Sequence, residues 1–128
     1  MPYTNAQEHS HLDDLTSVST YLGLSTTTPT KAGANITEPG DTYALVEVPA
    51  GSWGAAGATT TGAVKNSAAI SFAVATASWG TITHVVLYDD AVGTNIIGYG
   101  ALTVSKAVTT DQYLNFAIGE LTIYFVQP

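Results

Sequence analysis

The sequence predicts an all-β protein: an antiparallel β-sandwich, jelly-roll-like, with one short N-terminal α-helix. Three observations predict it. From Trp79 to Phe125 the chain reads as β-strands in succession, punctuated by short turns. Strand-like runs at similar spacing continue upstream, bringing the expectation to about eight strands. Helical periodicity occurs once, near the N-terminus, so the crossover helices that parallel strands require are missing from the pattern.

Taken in order, Thr4 followed by Gln7 matches a capping box and predicts a helix over Asn5–Thr16, with Ala6, Leu12 and Leu15 as its small apolar stripe. So short a helix is marginal alone in water, and its stripe is expected to dock on the β-domain or on a neighbour. The expected organisation is a helical arm over residues 1–20 and a β-sandwich over residues 21–128. Tyr21–Ser25 reads as the first strand. Thr26–Gly40 follows, and its two prolines and two glycines predict a long loop, a candidate contact arm. Thr42–Val48 is the next expected strand, ended by Pro49. A Gly/Ala/Thr-rich stretch, Ala50–Gly62, carries Trp53. Ala63–Asn66 and Ala69–Ala75 read as two further strands linked through Asn66-Ser67-Ala68.

Ile82–Tyr88 is a β-branched and aromatic run, and Asp89–Asn95 supplies the turn residues that should follow it. Ile96–Leu102 is expected to return, Thr103–Val108 to go out again, and Leu121–Val126 to close the chain. Ser-Trp-Gly occurs at Ser52–Gly54 and again at Ser78–Gly80. Each tryptophan is expected to cap one end of the sandwich, its ring buried and its N–H on a loop carbonyl.

At 128 residues the chain fits one domain able to bury about two thirds of its unfolded surface. It contains no cysteine, so that core must hold without disulfides. Charged residues make up 10% of the chain, against roughly 25% in an average soluble domain. A neutral, hydroxyl-rich exterior of this kind argues for burial against identical or different subunits. The net charge is −7, with Lys31, Lys65 and Lys106 as the cations and no arginine, which disfavours nucleic acid and anionic membranes as partners. No apolar run approaches the ~20 residues of a membrane span, and Met1–Asn5 lacks the basic and apolar character of a signal peptide. Release by lysis or within a larger particle is the expectation.

Chemistry-bearing residues do not assemble in the pattern. His9 and His11 lie two apart on the predicted helix and do not share a face, whereas metal pairs on helices favour i,i+4. His84 alternates with Ile82, Val86 and Tyr88, as a core or interface histidine would. Asp89, Asp90 and Asn95 could offer oxygens to calcium, but they lack the alternating acidic pattern of calcium loops, and turn formation is the better reading. The remaining acids lie mostly in predicted turns or on the helix, and no Gly-x-Ser-x-Gly elbow is present. The expectation is therefore not an enzyme, with no cofactor and no metal.

The order Thr4-Asn5-Ala6, Leu12-Asp13-x-Leu15, Tyr21-Leu22-x-Leu24-Ser25-Thr26-x-x-Pro29, Gly33-Ala34-Asn35, and later Trp79-Gly80-Thr81-Ile82-Thr83-His84-x-x-Leu87-Tyr88-Asp89 resembles a family of small tailed-phage virion proteins. Members are often labelled tail-fibre or minor tail proteins, and similar β-sandwich proteins serve as capsid cement or decoration. The resemblance spans nearly the whole chain. Two departures stand out: Tyr43-Ala44-Leu45 where the family commonly has Tyr-Ala-Arg, and Ile118-Gly119 where it tends to Ala-Gly.

The resemblance implies a bacteriophage virion structural protein on the particle surface, made in the host cytoplasm. A capsid cement or decoration protein on the outer head is the first expectation, and a tail-fibre or minor tail protein the alternative. Its partners would be the major capsid protein or other virion proteins and its own copies, a trimer first. Leu12, Leu15, Tyr21, Pro29, Ile36, Tyr43 and Trp53 are the residues expected to reach neighbours. From a different class comes a carbohydrate-binding adsorption module stacking sugars on Trp53, Trp79, Tyr99 and Tyr113. Buried tryptophans would count against it.

Overall fold

The computed structural model describes residues 4–54 and 63–124, and it is antiparallel β-structure with one short helix, as the sequence predicts. Helix α1 spans Asn5–Thr16, and the Thr4 hydroxyl accepts the Gln7 N–H at 3.3 Å, the capping bond its sequence calls for. Eight strands follow: β1 Thr20–Ser25, β2 Val46–Val48, β3 Ala63–Lys65, β4 Ile70–Ser71, β5 Gly80–Tyr88, β6 Ile96–Val108, β7 Asn115–Phe116 and β8 Thr122–Tyr124. They form a four-stranded sheet in the order β2-β1-β5-β6 and two ribbons, β3-β8 and β4-β7. The expected closing strand is seen as β8, and residues 125–126 lie outside the described part.

The chain divides into two compact units. One comprises residues 20–47 and 71–115 and contains β1, β5 and β6. β1 is central and buried on both faces, which explains why Leu22, Gly23 and Leu24 do not alternate with polar residues. Its register with β5 is antiparallel, Leu22 opposite Leu87 and Leu24 opposite Val85. Around them Phe72, Trp79, Ile82, Val86, Tyr88, Val108 and Leu114 are buried.

The other unit comprises residues 1–19, 48–70 and 116–128, and within it α1 lies against β3. Asn66, expected as a turn residue, is instead a buried clamp. Its Nδ2 donates to the Ala68 and Ala117 carbonyls at 2.9 Å each, and its Oδ1 accepts the Leu121 N–H at 3.0 Å. A buried amide with its partners satisfied holds the end of the β3-β8 ribbon in register. Trp53 forms an isolated antiparallel bridge with the same Asn66.

Four expected strands are corrected. The strand expected over Thr42–Val48 begins only at Val46, because Asp41 takes a left-handed φ of 60° and Tyr43 N–H closes a turn onto the Gly40 carbonyl. Ala69–Ala75 is a ladder only at Ile70–Ser71; the Val74 carbonyl turns away to accept the Thr42 hydroxyl at 2.7 Å. Ile96–Leu102 and Thr103–Val108 are one strand, not two. In it Ala101 pairs with His84 and Lys106 with Ile82, so residues 102–105 stand opposite Thr83 alone as a wide bulge. Leu102–Lys106 contains no Gly, Pro, Asn or Asp, and the chain therefore bulges instead of reversing.

The close approach over β1 depends on Gly23. A Cβ there would lie 2.8 Å from Leu45 Cδ2, 2.8 Å from Tyr43 Oη and 3.2 Å from Glu38 Oε1. Gly23→Ala is thus expected to lower unfolding stability by about 1–3 kcal/mol, the usual cost of overpacking. Urea denaturation followed by circular dichroism measures this, and an unchanged midpoint would show that the covering segment yields freely.

Candidate interaction surface

Residues 26–45 cover β1, and hydroxyl and carboxylate groups fix their path. Ser25 Oγ, fully buried, donates to the Thr27 carbonyl at 2.8 Å and accepts the N–H groups of Thr27 and Thr37 at 3.2 Å each. Thr27 Oγ1 bonds the Asn35 carbonyl at 2.7 Å, and Asn35 Nδ2 returns to the Thr28 carbonyl at 2.8 Å. Gly33 and Asn35 take the left-handed backbone that this fold-back needs. The long loop expected as a candidate contact arm is, among the described residues, closed on itself. Thr28, Thr30–Ala32 and Ala34–Asn35 remain exposed on it.

Beyond the loop, Tyr43 Oη accepts the Leu24 N–H at 3.0 Å and donates to Glu38 Oε1 at 2.7 Å. Burial, and then the Glu38 carboxylate, raise its hydroxyl pKa above the ordinary phenol range. Its ring stacks on Phe72, centroids 6.1 Å apart, and meets the Trp79 ring edge-on at 5.7 Å. Burial similarly pushes the Tyr88 hydroxyl up to about 12.

Asp41 is the most heavily bonded side chain of this region. It accepts the Thr76 hydroxyl, the N–H groups of Thr76 at 2.7 Å and Ala77 at 3.0 Å, and Trp79 Nε1 at 3.1 Å. The bond from the Thr76 hydroxyl and, after it, those from the backbone amides hold this carboxyl well below the usual carboxylate range. The Trp79 N–H therefore rests on a carboxylate rather than on the loop carbonyl expected from the sequence. Both tryptophans are buried as expected, Trp53 at 5% and Trp79 at 4% exposure.

The Asp89–Asn95 turn is also fixed by its acids. Asp90 accepts the Thr94 hydroxyl at 2.6 Å and the N–H groups of Thr94 and Asn95 at 3.0 Å, and Asn95 Nδ2 donates to Asp89 at 2.6 Å. The Thr94 hydroxyl, followed by the Asn95 amide, lowers the Asp90 pKa. The turn reading of these acids is thus what the geometry displays. Among the described residues no group of three or more His, Cys, Asp and Glu side chains could hold a metal ion.

Of the residues expected to reach neighbours, Leu15, Tyr21, Ile36 and Tyr43 are half-buried, while Pro29 and Trp53 are buried. Leu12 falls on α1, its side chain outside the described residues. The large apolar groups that face water are others: Val74, Val92, Tyr99, Val104 and Tyr113 in one unit, Val18 and Ile118 in the other. Val104 sits on the β6 bulge and is 78% exposed. Nothing in local composition separates Val74 and Val104 from core residues, since a diverted carbonyl lies at the one and a bulge at the other. The sugar-stacking set divides likewise, with Trp53 and Trp79 buried and only Tyr99 and Tyr113 exposed.

The Asp41 carboxylate yields a test with a defined sign. Its folded pKa lies below its unfolded value near ~3.9, so its contribution is complete above that range and is lost as pH falls through the depressed folded value. Asp41→Asn puts an amide where donors converge, and a lower melting temperature at neutral pH is expected. The gap from the parent chain should stay constant down to about pH 4 and close below it. Thermal melts across acid pH, followed by tryptophan fluorescence, check both; a gap that widens with acid would contradict the assignment.

Comparison with known proteins adds the family. No curated protein sequence matches the chain. The model of one family does, described as Podophage GP4 fiber I protein gp80, and it covers residues 13–124, from α1 through β8. The matched span takes in the sheet, the loop closed over β1 and the Asp41 and Asp90 clusters. With most of its length aligned, the chain belongs to this phage fibre protein family and is a virion structural component.

Proposed function

We propose that this protein is a non-enzymatic fibre-type component of a phage particle, working through contacts with neighbouring virion proteins and with its own copies. The family match over residues 13–124 carries the reading. The surface supports it: charged side chains are 10% of the chain, and Val74, Val104 and Tyr113 stand at least half exposed. Such residues gain from burial at a subunit contact at about 25 cal/mol per Å² of apolar area. The carboxylates of Asp41 and Asp90 are engaged in fixing loops, which favours a mechanical role over acid–base chemistry.

A second placement, cement or decoration on the head, draws on the same sparsely charged surface. The two differ in stoichiometry. Quantitative mass spectrometry of purified particles is expected to find a few copies per tail, co-purifying with tails when heads are removed. Copies in proportion to the major capsid protein would assign the head placement, and absence from particles would overturn the virion reading altogether. Fluorescent chain added to host cells separates the adsorption alternative: retention on host glycans that is lost on changing Tyr99 and Tyr113 would favour it.

A further inference from the structure

We propose that the outer edge of β6 joins two copies of this chain across a two-fold axis at Tyr99, extending the four-stranded sheet from one copy into the next. This contact rests on the self-association proposed above and specifies its surface and symmetry.

β6 is a terminal strand of the sheet, and among the described residues β5 alone is paired with it. An edge strand presents a row of unmet N–H and C=O groups, which proteins ordinarily guard with charge, proline or bulges. Here the guard is partial. Residues 102–105 bulge, but Ile96–Ala101 carries no charged side chain and no proline. Gly98 and Gly100 have nothing within 4 Å of where a Cβ would stand, so the face of the strand is open there and no side chain crowds its edge from that side. The opposite edge of the sheet, β2, is only Val46–Val48. Three residues cannot answer six, whereas β6 of a second copy can.

Symmetry then restricts the register. A two-fold axis perpendicular to an antiparallel pair sets one residue opposite itself. With Tyr99 on the axis, each tyrosine meets its counterpart, Gly98 meets Gly100 of the second copy, and, past a second bulge at Ile97, Ile96 meets Ala101. Tyr99 is 41% exposed and has aromatic surface left to cover.

Charge is compatible with this register. Lys106 is the cation of β6, and because it pairs with Ile82 while Ala101 pairs with His84, it lies two ladder positions beyond Ala101, about 7 Å. On the other side of Tyr99 the bulge at Ile97 leaves Asn95 three ladder positions away, so Lys106, four positions from Tyr99, comes level with the turn just beyond Asn95 of the second copy, at Thr94. Asn95 is where acidic groups gather: its N–H holds the Asp90 carboxylate at 3.0 Å and its amide holds Asp89 at 2.6 Å. Moving the axis to Gly98 carries Lys106 further past this point, and moving it to either glycine separates the tyrosines. In a chain of net charge −7, two copies otherwise repel, and these symmetry-related Lys106–acid contacts favour this approach. The contact is smaller than the ~1,200 Å² of a standard interface, so it is expected to be weak in solution and to gain from many copies held together.

Sedimentation equilibrium of the purified chain over a wide concentration range is expected to show a monomer–dimer equilibrium that weakens with salt. Lys106→Glu should weaken it about tenfold by placing acid against acid, and Tyr99→Lys should abolish it by opposing two ammonium groups on the axis. The sequence contains no cysteine, so Tyr99→Cys offers a direct measurement. Directly opposed residues have Cα atoms about 4.5–5.5 Å apart, within disulfide range, and mild oxidation should give a covalent dimer. Val104→Cys, on the bulge, should remain uncrosslinked under the same conditions. A monomer at every concentration, an oligomer indifferent to Tyr99→Lys and Lys106→Glu, or a Tyr99→Cys chain that fails to crosslink would each overturn the edge contact. Incorporation into particles is scored separately on virions, so the contact can fail while the virion reading stands.

Discussion

Four donors from residues 76–79 converge on the carboxylate of Asp41, and the path of the chain on both sides of it follows from that convergence. The carboxylate replaces a ladder: it satisfies the Thr76 and Ala77 amides where no strand is available to do so, and it orients Trp79 by its indole N–H. Its left-handed backbone then delivers Tyr43 to the edge of β1, where a phenol hydroxyl takes the Leu24 N–H. Tyr43, Phe72 and Trp79 can stack only with this turn in place. A single ionised side chain thus substitutes for several main-chain pairings, at a position where a strand would have left no room for the loop above β1.

How much of this was legible depends on how local each cause is. The helix over Asn5–Thr16 was legible to the residue, because a capping box is a contact between neighbours in sequence. The Asp89–Asn95 turn was legible for the same reason, its acids bonding amides four and five residues on. The split of β6 was misread: the stretch from Leu102 to Lys106 lacks turn residues, and only pairing with distant β5 reveals four residues set against one. Asn66 was read as a turn former because asparagine favours turns, whereas its amide closes contacts with Ala117 and Leu121 some fifty residues away. Trp79 was rightly placed inside, but its partner was beyond reach of any local rule, since Asp41 lies 38 positions earlier.

The exterior was harder to read than the core. Val74 and Val104 fall in stretches that read as regular strand, and each lies beside an irregularity and is exposed. A carbonyl diverted to Thr42 breaks the regular ladder beside Val74, and a bulge presents Val104. Low overall charge says that much of the exterior is neutral, but not which apolar residues are exposed on it. Membership of a phage fibre family goes with a sparsely charged chain in which the carboxylates of Asp41, Asp89 and Asp90 fix turns.

The loop over β1 is cross-braced mainly by the hydroxyls of Ser25, Thr27 and Thr30 and the amide of Asn35. Neutral dipoles at hydrogen-bond distance feel little of the ion atmosphere that screens separated charges over roughly 10 Å in ordinary buffers. A loop braced in this way keeps its contour over a wide range of ionic strength, so the surface it presents depends little on the salt content of the surrounding medium.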